Sequence, residues 1–359
     1  MRILYAAQST PNEIDLPDSK LWDANLLQPL LDLGHEITRF THPWLSPGYM
    51  HSVRMPEHAA AIAAHRPGFS EALLQKVREE HEKKPVDVLF TYFLASHVEA
   101  AAIREISALG IVTVNWFCNA SYQFELVEDI APAYDFCLVP EKFRLDDYRR
   151  IGARPLYCQE AANPNVYAPR QVPREFDVTF VGQCYGNRPG YIRSLLSQGI
   201  DARVWGPGWR VPPRPWLSRL LSRKPAPPVP PGRAGEPLTD DGLIEMYSRS
   251  RISLGFSTVD RPHQPEAAPI RQVRLRDFEA PMSGAFYCVE YFEELTEFFE
   301  PDREIICFRD EAELLDKVRH YLRNDAARES IRDAGLRRAR AEHTWHQRFS
   351  QAFRAMGLN

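Results

Sequence analysis

Short apolar runs recur along the chain at the length of β-strands, and between them apolar residues return every three or four positions, as on one face of a helix. Residues 2–7 form the first run. Leu26, Leu27, Leu30 and Leu31 then mark a helix over residues 21–33, and residues 34–40 read as a second strand. The alternation continues with a helix near 70–83, a strand over 86–92, a helix over about 96–109 and a strand over 110–116. Residues 135–139 make a further strand and 156–158 a short one. Strands that alternate with helices through short turns predict a parallel, doubly wound α/β sheet.

The pattern restarts beyond residues 161–170, a Pro/Asn-rich segment suited to a linker. Residues 177–182, 201–206, 252–256 and 304–308 read as strands, helices are expected near 191–198 and 240–249, and the chain ends in helical segments. Two Rossmann-like domains are therefore expected, 1–168 and 169–340, facing each other across a cleft that would hold the active site. Residues 341–359 are expected to form a helix that packs back towards the N-terminal domain.

A chain of 359 residues with 44% hydrophobic and 26% charged positions is long enough for two such cores. The net charge of -4 carries no basic excess, so nucleic acid is not the expected partner. A small molecule or a glycan fits better. The six cysteines show no CxxC pair and no metal-ligand spacing, which suits reduced core residues in the cytoplasm. Neither a signal peptide nor an apolar run of membrane-spanning length is visible.

Composition shifts over about 207–237, where ten of the 30 prolines fall, and this segment reads as an insertion. Within it, residues 214–224 place Trp216, Leu217, Leu220 and Leu221 beside Arg219, Arg223 and Lys224. As a short amphipathic helix this stretch would make a weak contact with an anionic membrane; as a loop its apolar residues would dock on the domain.

Two features of the second half carry candidate chemistry. Gly182 to Gly190 follows a strand and opens a helix, so free amides at the helix start would attract phosphate oxygens, with Arg188 adding a fixed charge. An ordinary strand-to-helix turn has the same look. Further on, Glu279 lies in a helix that ends at Ser283-Gly284 and leads into an apolar strand. A carboxylate at the carboxyl edge of a parallel sheet is placed to accept both hydroxyls of a ribose. A surface Glu ahead of a buried strand is the plainer alternative.

These pieces lie within a wider pattern. Residues 177–182, Trp205-Gly-Pro-Gly-Trp209, Arg276-Asp-Phe-Glu-Ala280 with Ser283-Gly284, and 334–338 leading to Glu342-His-Thr-Trp345 resemble the group 1 glycosyltransferase domain of the GT-B fold. They resemble in particular the CgeB-like proteins associated with spore maturation, and residues 114–117, 133–136 and 161–164 extend the likeness into the first half. The resemblance implies transfer of a sugar from a UDP-, GDP- or dTDP-sugar to a glycan, lipid, protein or small-molecule acceptor. The nucleotide would sit mainly on the C-terminal domain, with Glu279 on the ribose, and the acceptor mainly on the N-terminal one.

Family 4 relatives carry two glutamates eight positions apart, and the earlier position here is Arg271. Arg271, Arg274 and Arg276 form a basic cluster whose alternate spacing would put all three on one side of an extended segment, facing a diphosphate. Salt bridges to the Glu-rich stretch 290–300 are the alternative. The chain has no Asp-x-Asp, and the pairs Asp146-Asp147 and Asp240-Asp241 look like helix caps, so transfer without a bound metal and without a cofactor is expected.

On the acceptor side the candidates lie at strand ends: Gln8 and Ser9, Trp116, Asn119, and His97. Only His97 titrates near neutrality and so stands as the candidate base, although a structural histidine looks the same in sequence. Trp116, Tyr122 and Phe124 would form an aromatic floor for a sugar or else pack in the core. Two other readings stay open. One is a nucleotide-sugar epimerase or hydrolase, the other a nucleotide-sugar-binding protein without turnover.

Overall fold

The computed structural model describes residues 1–9, 18–45, 55–210, 228–259 and 268–358, so the amphipathic stretch 214–224 lies outside the described residues. The chain divides into two compact units, Met1–Asn163 with Thr344–Asn359, and Pro164–His343.

The first unit is built on strands β1 (Arg2–Ala6), β2 (Glu36–Arg39), β3 (Val88–Thr91), β4 (Val112–Trp116), β5 (Phe136–Val139) and β6 (Pro155–Tyr157). They lie in the order β2-β1-β3-β4-β5-β6 with every neighbouring pair parallel. β1 and β3 are buried along their whole length, which is why their sequences read as unbroken apolar runs and not as alternation. The crossovers carry helices α1 (Gln28–Asp32), α2 (Pro56–Lys83), α3 (Ala100–Ala108), α4 (Ala120–Gln123) and α5 (Leu145–Arg150).

α2 starts fourteen residues before the expected 70 because it runs through Pro67. Proline removes one helical hydrogen bond and usually ends a helix. Here Phe69 and Leu73 are buried on the next turn, and the Ser70 hydroxyl donates to the Arg66 carbonyl at 2.7 Å, so packing carries the helix past the break.

The second unit comprises, in chain order, β7 (Phe176–Val181), α6 (Arg188–Ser197), β8 (Ala202–Trp205), β9 (Ala234–Gly235), α7 (Asp240–Arg249), β10 (Ser250–Gly255), β11 (Thr258–Val259), β12 (Ile270–Arg271), α8 (Leu275–Met282), β13 (Tyr287–Glu290), β14 (Ile306–Phe308), α9 (Glu311–Arg323) and α10 (Asp325–Glu342). Six of the strands form a parallel sheet in the order β14-β13-β10-β7-β8-β9, while β11 and β12 pair antiparallel beside it. Asp240 and Asp241 occupy the first turn of α7, whose cap is the Thr239 hydroxyl accepting from the Gly242 amide.

α11 (Trp345–Ala355) belongs to the first unit. Trp345 packs edge-on against Trp116 and donates through Nε1 to Asn25 at 3.0 Å, and Phe349 meets Phe90.

Each sheet has one point where successive crossovers depart in opposite directions. In the first it lies between β1 and β3, in the second between β7 and β10. Open α/β sheets bind ligands outside the carboxyl ends of the strands at such points. Among the described residues no helix is long and apolar enough to cross a membrane.

Candidate functional site

At the second switch point β7 ends on Val181 and passes directly into Gly182. A Cβ at Gly182 would lie 2.6 Å from the Phe180 ring and 2.7 Å from Arg276 Nη1. One at Gly206, where φ is +135°, would lie 2.4 Å from the Gly182 carbonyl oxygen. The absence of side chains therefore lets the ends of β7 and β8 touch, and Trp209 Nε1 locks the pair by donating to the Gly182 carbonyl at 2.6 Å.

Arg188 opens α6 yet its guanidinium turns back over the preceding loop and is 5% exposed. Nη1 donates to the Gln183 carbonyl at 2.8 Å and Nη2 to the Tyr185 hydroxyl at 2.6 Å, with the guanidinium carbon 3.7 Å from the centre of the Tyr185 ring. Arg274, the residue before α8, reaches the same hydroxyl at 2.9 Å and the Thr258 carbonyl at 3.0 Å. Arg276 Nη1 donates to the Val181 carbonyl.

Three guanidiniums thus gather beside the ends of β7 and β10, and their hydrogen-bond acceptors are backbone carbonyls and one phenol. Among the described residues no carboxylate oxygen lies within 4.0 Å of any of the three. Burial, together with the charges of Arg274 and Arg276, pulls the Arg188 pKa down to about 9, so its charge is held at a cost that an anion would offset.

Arg271 does not join them. The segment expected to be extended is strand only as far as Arg271, then turns into α8, so Arg274 and Arg276 flank a helix start while Arg271 points elsewhere. Its Nη2 lies 3.8 Å from Glu290, the ion-pair alternative for this position. Glu290 ends β13 and is buried; it accepts from the Thr258 amide at 3.0 Å, the Thr258 hydroxyl at 2.8 Å and Asn187 Nδ2 at 3.3 Å. One carboxylate therefore ties the loop after β7 to the loop after β10.

Glu279 is 2% exposed on α8, and its charge, with that of Asp277, adds to burial in raising the pKa of Tyr247. Ser283 caps the end of α8 and is buried, and Gly284 follows at φ +73°, the left-handed conformation that stops the helix. Asp277 accepts from the Arg274 amide and from the Tyr287 hydroxyl, both at 2.8 Å, and burial raises its pKa to about 6. Tyr185, Asp277 and Tyr287 escaped the sequence reading, and Glu290 entered it only as an ion-pair partner for the arginines. Only Asp277 had a local signal, an acidic residue three positions beyond a helix cap.

At the first switch point Ser9 follows β1 and donates to Asp23 at 2.9 Å, while its carbonyl accepts from the Trp22 amide at 2.7 Å. Gln8 is half-buried next to it, and Asn119 is half-buried at the start of α4, where its carbonyl receives the Gln123 amide at 2.9 Å. Trp116 is 0% exposed and meets Trp22, Tyr92 and Trp345 edge-on, so it is a core residue and not the expected floor of a sugar site. Tyr122 is half-buried, and Phe124 packs on Tyr148.

His97 is 2% exposed among Trp44, Phe69 and Phe93. Nδ1 accepts from the Leu94 amide at 3.1 Å, which places the ring proton on Nε2. Burial, with the nearby His65, lowers its pKa to about 3, so the titration near neutrality that recommended it as a base is absent. All six cysteines are free, five of them buried and Cys184 half-buried.

Residues 189–354 match the family model described as "Glycosyl transferase-like". No curated protein matches the chain. Among solved structures, sucrose-phosphate synthase from Thermosynechococcus elongatus superposes with a TM-score of 0.61 at 13% identity, over 99% of this chain and 98% of that one. Anabaena HepE in complex with UDP-glucose gives 0.59 at 11% identity over 99% of both chains. T4 phage BGT in complex with its UDP-glucose substrate gives 0.51 at 13% identity over 98% and 99%. Likeness at such identities speaks for the fold, GT-B with its two Rossmann-like domains, while the matched domain speaks for the enzyme class. Residues 189–354 thus carry a glycosyltransferase-like domain, and the chain as a whole has the GT-B fold.

Proposed function

We propose that the second unit binds a nucleotide-sugar donor and that the chain transfers the sugar to a glycan, lipid-linked, protein or small-molecule acceptor in the cytoplasm. The observation that carries this reading is the gathering of Arg188, Arg274 and Arg276 at the switch point with no carboxylate against them. Guanidiniums match phosphate oxygens bidentately, and a leaving nucleoside diphosphate develops negative charge that such fixed donors stabilise. Glu279, on the helix that carries Arg276, would then accept from the ribose. The first choice of donor is a UDP-sugar, since two of the structural neighbours are described with UDP-glucose.

In this scheme the arginines neutralise the leaving group, and neither a metal nor a cofactor is required. The amides expected to help at the start of α6 are taken, Arg188 N–H by the Tyr185 carbonyl and Gly190 N–H by the Asn187 carbonyl, and Pro189 has none. A CgeB-like subtype and a weak membrane contact through residues 214–224 belong to the same proposal.

The test is a donor screen with UDP-, GDP- and dTDP-sugars, with and without EDTA, following release of the nucleoside diphosphate and transfer to an acceptor panel. Transfer from one donor class, unchanged by EDTA, is the expected result. Interconversion of the donor's sugar would favour an epimerase, a reaction suggested by the similarity in fold to a UDP-N-acetylglucosamine 2-epimerase-like protein from Listeria monocytogenes. Binding without any turnover would favour a protein that only carries the nucleotide sugar.

A further inference from the structure

Arg188 and Arg274 come from segments 86 positions apart and donate to one and the same neutral oxygen, Tyr185 Oη, at 2.6 and 2.9 Å. Two like charges converging on a phenol make a poor match. A phosphate oxygen carries full negative charge and pairs with guanidiniums bidentately, which a neutral phenol cannot match. The remaining acceptors of the pair, the Gln183 and Thr258 carbonyls, are backbone atoms that hold the guanidiniums from behind. We propose that the Tyr185 hydroxyl stands in for a phosphate oxygen: in the free protein it occupies the point on which Arg188 and Arg274 converge, and a nucleoside diphosphate displaces it on binding. This rests on the donor site proposed above.

The loop that carries Tyr185 is built to let it leave. Residues 183–185 belong to no helix or strand, Tyr185 is half-exposed, and the next residue, Gly186, sits at φ +58° with nothing within 4 Å of its Cβ direction. While in place, the ring also screens Arg188 through its face, so both the hydroxyl and the π-system hold the cation until the anion arrives. A competitor inside the protein lowers apparent affinity by the fraction of molecules in which it is seated. Removing the hydroxyl therefore raises affinity for the anion while weakening the free protein. A hydroxyl that merely positions the two arginines for the ligand would do the opposite.

The experiment measures pyrophosphate and UDP binding by calorimetry on the full chain for wild type, Tyr185→Phe and Tyr185→Ser, whose hydroxyl is too short to reach either guanidinium. Both variants are expected to bind pyrophosphate more tightly than wild type, by at least about 2- to 10-fold, the worth of one of the two competing hydrogen bonds that the hydroxyl accepts, and to melt earlier without ligand. Either variant suffices if the other does not fold. Wild-type binding with unchanged or weaker binding in the variants overturns the stand-in role alone. A wild type that binds neither pyrophosphate nor any nucleoside diphosphate overturns the donor site itself, and this inference with it.

Discussion

Between the carboxyl ends of β1 and β3 the first unit places Ser9 against Asp23, Tyr92 against Trp22 and Trp116, and His97 among aromatic rings. Between the ends of β7 and β10 the second unit places three guanidiniums against carbonyls and a phenol. The two sheets share the parallel order around their switch points, so topology fixes where a ligand would lie in each. What it would be is set by side chains alone. Neutral rings and a satisfied carboxylate offer nothing to a diphosphate, whereas one buried and two half-buried guanidiniums with no carboxylate in ion-pair range ask for one.

The sharpest way to break this contrast is to remove one cation from one unit and one ring from the other. Arg188→Ala should weaken UDP binding by about 10- to 150-fold, since hydrogen bonds to charged groups are worth roughly 1.5–3 kcal/mol and each 1.4 kcal/mol is tenfold. Trp116→Phe should lower the melting temperature and leave UDP affinity of the folded protein where it was. Calorimetry at 25 °C decides, and equal losses in the two variants would show that the anion site is not confined to the second unit.

A smaller effect separates the two ends of the proposed nucleotide. Glu279→Gln removes the charge that would accept from the ribose but touches none of the arginine contacts, so UDP affinity should fall about tenfold. Pyrophosphate affinity should stay unchanged. If both ligands lose equally, Glu279 acts by holding α8 in place, as its burial equally allows, and the ribose assignment is lost.

The same contrast marks what a sequence reveals. The alternation of strands and helices was legible because buried parallel strands must be apolar throughout, as β1 and β3 are. β9, β11 and β12 have two residues each and carry no period at all. α2 was cut short because Pro67 is a local signal and the packing of Phe69 and Leu73 that overrides it is not. The basic character of Arg271, Arg274 and Arg276 was legible, but their directions depended on a strand ending and a helix starting within five residues. Tyr185 had no signal, because its meaning lies in a partner 89 positions away. His97 was misread for the same reason: its pKa depends on burial by Trp44 and Phe69, which sequence spacing does not announce.

That burial yields an effect on stability and none on anion affinity, and one that the arginine cluster does not share. His97 titrates at about 3 in the folded protein, against about 6.5 for an unperturbed histidine. The folded state thus binds fewer protons than the unfolded chain between these values. Its contribution to stability is complete above about pH 6.5 and is lost as pH falls towards 3, with a limiting slope of about 1.4 kcal/mol per pH unit. His97→Gln cannot take up the proton, so its stability should fall less steeply on acidification, and the advantage of wild type over the variant should shrink between pH 6.5 and 4.5. Urea unfolding at half-unit steps measures this. Over pH 7–8 the ring is neutral in the folded state, so the pH profile of turnover should keep its shape in the variant. A pH profile that loses an ascending limb near 6.5 in His97→Gln would return His97 to the role of base and erase the difference between the two strand edges.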